Sequence, residues 1–205
     1  MELNNDNILG FWQWFVKNEN TIKECIENED SAQQEFIVEQ MNEHILGLGV
    51  LTWDVGLDDD GCWFLKLSPN GNKEMLEVSQ KIMDEAPEHM GWLFYASKPA
   101  KTWNRKFTIY DSYMDEQFID ASQWQYVVFD EDDGTLELII EANNTSHLDS
   151  EVAETAAEQF VIQEVGELTR ILFVSSIVIM DTLESDYQSS KAPITELKEH
   201  LDEIV

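Results

Sequence analysis

Ile8, Phe11, Trp12, Phe15 and Val16 recur with the 3.6-residue period of a helix and form one wide apolar face. Trp14 falls off that face and is expected at its edge. Helix-start signals with capping-box spacing follow at Thr21 with Glu24 and at Ser31 with Gln34. The latter opens a segment whose apolar residues are Phe36, Ile37, Met41, Ile45 and Leu46, with Gly47 as the expected stop. The chain up to Gly47 therefore reads as helical. Aromatic residues at helical spacing are core-forming, since each Trp or Phe can bury about 150–250 Å². A helix lying on a membrane surface would instead carry Lys or Arg on its polar face. The polar residues nearby are Asn4, Asn5, Asp6, Gln13, Lys17 and Glu19, with one cation among them.

The period then changes. Leu51–Leu57 and Cys62–Leu67 read as strands, joined by the acidic turn DDDG at 58–61. SPNGN at 68–72 breaks the second strand, with Asn and Gly suited to left-handed backbone. Lys73–Ala86 reads as a helix with Met75, Val78, Ile82 and Met83 inward, Pro87 stops it, and Gly91–Ala96 is a third strand. A ββαβ unit results. A second one follows: Tyr126–Phe129, the turn EDDG at 131–134, Thr135–Ile140, a helix from about Leu148 to Val165, a helical turn near Leu168–Phe173, and a strand Ser176–Met180. A shift of 73 positions superposes the two acidic turns and places Asn70 on Asn143. Pro193–Ile204 reads as a final helix with Leu197, Leu201 and Ile204 inward and Pro193 near its first position. The expected fold is α+β: a mainly antiparallel sheet from two ββαβ-like units, covered by helices, with a helical N-terminal segment and a C-terminal helix. No linker rich in Pro, Gly or Ser separates the units, so residues 1–205 are expected as one domain with pseudo-repeats at 51–97 and 124–182. Two abutting subdomains are the alternative. Residues 98–123 join the repeats.

Composition adds a strong charge asymmetry. Twelve Lys and Arg face forty-two Asp and Glu, for a formal net charge of −30. A field of that sign repels nucleic-acid phosphates and anionic lipid surfaces and attracts a basic protein. Extreme halophily would also produce such a balance, but the many large aliphatic and aromatic residues argue against it. No stretch approaches the roughly 20 apolar residues needed to span a bilayer. The segment MELNNDN lacks a basic, then apolar, leader pattern, so a soluble cytoplasmic protein is expected. Cys25 and Cys62 are too few and too far apart for a CxxC site and read as reduced thiols.

Motifs for chemistry are sparse. HExxH, GxSxG, GxGxxG and Walker A patterns do not occur, and His44, His89, His147 and His200 are scattered. The acidic turns lack the spacing of a calcium loop. No catalytic residue, metal ligand or cofactor is therefore assigned. One island departs from the acidic background: Lys98, Lys101, Arg105 and Lys106 cluster around Trp103, with Tyr95 and Tyr110 flanking. Such an island can take an anionic ligand, a peptide or the acidic patch of a second copy. It can equally be neutralised internally by nearby carboxylates. The expected function is an acidic protein-binding or regulatory protein of the inhibitor or immunity kind, with no catalytic role. The alternative is a hydrolase or transferase whose carboxylates are dispersed in sequence.

Ser68, Gly71, Ala86, Pro87, Gly91, Trp92 and Ala96 form an SxxG…AP…GWxxxA pattern. The segment resembles one found in uncharacterised bacterial proteins. That resemblance covers about thirty residues clearly. It implies a bacterial source and an α+β fold, and no site. In size and acidity the chain is also similar to small acidic inhibitors of nucleases and to toxin-immunity proteins, a likeness of composition alone.

Overall fold

In the computed structural model, which describes residues 4–28, 31–58, 60–88 and 91–205, the opening aromatic face belongs to one long helix, α1 (Asn5–Asn28). Thr21 and Glu24 lie inside it, so the expected second helix start is overridden. The reason is continuity of the buried face: Ile8, Phe11, Trp12 and Phe15 continue, two turns on, into Ile22 and Cys25, all buried. Val16, expected on that face, is exposed instead. Trp14 sits at the edge, its ring 4.7 Å from that of His44. Helix α2 (Ser31–Leu46) buries the narrower stripe Ile37, Met41 and Ile45, while Phe36 and Leu46 face outward. The side chain of Ser31 is outside the described residues. Its supposed capping partner Gln34 donates from Nε2 to the Cys25 carbonyl at 2.9 Å, tying α2 to α1.

These helices belong to the first of two compact units, Met1–Lys98 and Pro99–Val205. The first unit also holds a three-stranded sheet of β1 (Thr52–Leu57), β2 (Trp63–Ser68) and β3 (Trp92–Tyr95), in the order β1-β2-β3. β1 and β2 form an antiparallel hairpin, and β3 runs parallel to β2 after the crossover helix α3 (Lys73–Asp84). Asn72 caps α3, its side chain accepting from the Met75 N–H at 3.1 Å. In the preceding turn Asn70 and Gly71 are left-handed, with φ of 53° and 76°. The core is built from Phe11, Trp12 and Phe15 of α1, Met41 and Ile45 of α2, Leu65 and Leu67 of β2 and Ile82 of α3. The Trp12 indole N–H donates to the Ile82 carbonyl at 2.8 Å, so a core aromatic also satisfies a backbone group in the last turn of α3.

The second unit repeats the connectivity. β6 (Gln125–Asp130) and β7 (Leu136–Glu141) form an antiparallel hairpin. Helices α4 (Ser150–Val165) and α5 (Glu167–Phe173) then lead to β8 (Val174–Met180), parallel to β7. The expected ββαβ unit is therefore present twice, in separate sheets rather than one shared sheet. A short strand β9 (Ala192–Pro193) extends the second sheet to the order β8-β7-β6-β9. Pro193 thus pairs with Gln125 in β9, and helix α6 (Leu197–Ile204) begins after a short 3₁₀ turn. Trp124, Tyr126, Phe160 and Val161 lie at the centre of this unit's core.

Residues 98–123, expected only as a join, contain a further hairpin, β4 (Lys106–Tyr110) and β5 (Glu116–Asp120). Phe107, Ile109 and Ile119 pack on the core from one of its faces. The other face carries the pairs Lys106–Asp120, Thr108–Phe118 and Tyr110–Glu116.

The two acidic turns have the same backbone pattern. Asp58 N–H bonds to the Cys62 carbonyl and Gly61 N–H to the Asp58 carbonyl. Glu131 N–H likewise bonds to the Thr135 carbonyl and Gly134 N–H to the Glu131 carbonyl. Asp59 lies outside the described residues, while Asp60, Asp132 and Asp133 are exposed. The like charges at each tip are thereby left to water.

Candidate functional site

The basic-aromatic island is partly drawn together in the second unit. Its organising residue is an acid, Glu164, in the last turn of α4. Phe160 and Val161 precede it by four and three positions, so helical geometry places Glu164 on the same buried stripe. Its side chain is only 4% exposed. Such a carboxylate must be satisfied by the protein. Trp103 Nε1 donates to Glu164 Oε2 at 3.0 Å, and Arg105 Nη2 donates to Oε1 at 2.6 Å. Trp103 also packs its ring against Phe107 and Phe160.

Arg105 reaches Glu164 from a left-handed backbone, φ 61°. Few residues of its size adopt that conformation. Two bonds hold it there. The Asn104 side chain accepts from the Lys106 N–H at 3.1 Å, and the Arg105 carbonyl accepts from the Ala121 N–H at 2.9 Å. Lys106 pairs with Asp120 across the hairpin at 2.9 Å. The Asp120 carboxyl is held down at about 2, chiefly by the side-chain hydrogen bond of Ser122, with Lys106 adding to it. Lys101 bonds Gln163 through both its backbone N–H and its ammonium, at 2.8 and 3.3 Å. Lys98 belongs to the other unit.

An open depression of about 620 Å³ lies over this anchor, lined by Lys101, Trp103, Arg105 and Glu164 together with Lys198 and Glu199 of α6. Its charges are largely matched, since Lys198 pairs with Asp202 as Arg105 does with Glu164. Chemically, the arrangement fixes the base of the β4–β5 hairpin to α4 through one buried carboxylate. Among the described residues no three His, Cys, Asp or Glu side chains are grouped so as to hold a metal ion. Nor is any described helix long and apolar enough to cross a membrane. Cys25 is buried and Cys62 is exposed.

Glu164 was not legible as a functional position, because an acid four residues after Phe160 looks like any other helical glutamate. Its signal was placement: the buried positions Ala153, Ala156, Ala157 and Phe160 predict that a residue at 164 shares their face. The chain matches no known protein-family model, no curated protein and no solved structure.

Proposed function

We propose that this is an acidic protein-binding regulator, of the inhibitor kind, that recognises a basic protein. The observation that carries the reading is how the charge is distributed. Among the described residues, at least seven of the chain's twelve Lys and Arg are engaged in ion pairs: Lys23, Lys66, Arg105, Lys106, Arg170, Lys191 and Lys198. Most of the scarce positive charge is thus spent inside the protein's own surface. The surplus of carboxylates is left to set the external field, which steers a basic partner toward the chain and fixes its orientation. In this reading Trp103, Arg105 and Lys106 are architectural, each occupied by Glu164 or Asp120, and Lys101, though exposed, is bonded to Gln163. They support the binding element rather than contact the partner.

Affinity capture with the tagged chain from its own source at low ionic strength is expected to return a basic protein. Raising the salt to about 0.5 M, where the Debye length falls to a few ångströms, is expected to release it. Capture of a neutral or acidic protein whose binding ignores salt would overturn electrostatic recognition. Turnover of a small substrate by the purified chain, lost on changing an acid in the depression other than Glu164, would favour an enzyme instead.

A further inference from the structure

We infer that the outward face and tip of the β4–β5 hairpin dock a basic amphipathic segment of a partner protein, one that alternates cationic and apolar side chains. The inference rests on the proposed function and adds to it the surface used and the character of the segment bound.

The first ground is a comparison of three turns within the chain. Asp111 N–H bonds to the Asp115 carbonyl and Met114 N–H to the Asp111 carbonyl. The two acidic turns described above make the same pair of bonds. The likeness to the first extends to side chains. Asp58 Oδ1 accepts from the N–H groups of Asp60 and Cys62, and Asp111 Oδ1 accepts from those of Tyr113 and Asp115. The fourth residue of each turn is left-handed. Gly61 and Gly134 hold that position with φ of 76° and 82°, but in the hairpin it is Met114, with φ of 65°. Glycine adopts this conformation without steric cost and methionine does not. No packing offsets the strain, because Met114 is 74% exposed. A strained, outward-facing methionine where the fold elsewhere uses glycine is the kind of outlier that marks a functional position.

The second ground is what surrounds it. Tyr110, Tyr113 and Phe118 are exposed by 55%, 81% and 64% on the same hairpin. Tyr110 and Phe118 stand on one face as diagonal neighbours, since Tyr110 pairs with Glu116 and Thr108 with Phe118. The hairpin's packing on its own core is already supplied by Phe107, Ile109 and Ile119. Tyr113, Phe118 and Met114 are therefore surplus to that packing, while Tyr110 also donates its hydroxyl to Glu116 Oε1 at 3.1 Å across the hairpin. Tyr, Phe and Met are also residue types enriched at the centres of protein interfaces.

Charge complementarity decides the occupant. Asp111, Asp115 and Glu116 rim the tip, and the hairpin's own Lys106 is held by Asp120. An acidic rim around aromatic side chains suits lysines or arginines flanking apolar residues. A second copy, with its own charge of −30, would be repelled, as would an anionic membrane or a nucleic acid. The buried Glu164 anchor stiffens the hairpin's base, which lowers the ordering cost of binding.

The test uses two fluorescent peptides of equal length and charge, one built from Lys and Leu and the other from Lys and Ser. Binding to the full chain is read by anisotropy at low salt. The parent is expected to bind the Lys/Leu peptide about tenfold more tightly than the Lys/Ser peptide. Y113S/F118S is expected to lose that advantage while binding Lys/Ser as the parent does. Amide shift changes on adding Lys/Leu are expected to concentrate in residues 106–120. Met114→Gly is expected to weaken Lys/Leu binding and yet raise Tm by about 2–4 °C, since it removes both a contact and the strain. If Y113S/F118S binds Lys/Leu like the parent, the docking surface is overturned while the acidic-regulator reading survives. If the parent binds neither peptide, both fall. A dimer in sedimentation that the double change abolishes would assign the face to a second copy and overturn the inference.

Discussion

Trp12→Ala is expected to cost about 3–5 kcal/mol of unfolding free energy, at the upper end of large-to-small core changes. Two losses coincide at this position. The ring is 4% exposed and meets Phe11, Phe15 and Phe94 at centroid distances of 4.8, 5.6 and 4.8 Å, so its removal opens a cavity among groups that cannot close over it. Its N–H also serves the Ile82 carbonyl, which would be left buried and unpaired. Trp12→Phe separates the two. It keeps most of the packing and loses the bond, and a smaller cost of about 1–3 kcal/mol is expected. Urea denaturation followed by far-UV circular dichroism measures both. A Trp12→Ala variant as stable as the parent would show that α1 is a surface element, and its aromatic face would become the first place to look for a partner.

Glu164→Ala is expected to destabilise the second unit by about 3–5 kcal/mol, because it strands a half-buried guanidinium and an indole N–H together. The side chains of Arg105 and Glu164 are 23% and 4% exposed, so solvent offers the pair little relief. Replacing the acid alone should therefore cost more than replacing both charges. The double change Glu164→Leu with Arg105→Met is expected to recover much of the loss, with a coupling above about 1 kcal/mol in a double-mutant cycle. Additive losses would mean that the pair does not act as a unit and that the hairpin is held by its apolar face alone. Because the hairpin carries the docking surface, Glu164→Ala should also blunt binding of the Lys/Leu peptide at temperatures where the rest of the unit stays folded.

The two large effects differ in how far the sequence anticipated them. The spacing of Ile8, Phe11, Trp12 and Phe15 was enough to predict burial, because a helix places them on one side whatever lies opposite. The acidic turns were legible for a similar reason: glycine after a run of aspartates closes a hairpin by local backbone freedom. The β4–β5 hairpin had neither advantage. Its outward positions Thr108, Tyr110 and Phe118 include aromatics as large as those facing the core, which hides the alternation of a strand. Its turn has Met114 where a glycine would have announced it.

Sequence by itself therefore determined what depends on near neighbours: the α+β class, the period of each long helix, the two ββαβ repeats and the −30 charge. Only the tertiary structure decided which long-range partners meet. Glu164 takes Arg105 and Trp103 from 59 and 61 positions away, and the repeats close into separate sheets. Those outcomes follow from burial. A carboxylate removed from water must find donors wherever the packed chain brings them, and spacing along the sequence carries no record of that distance.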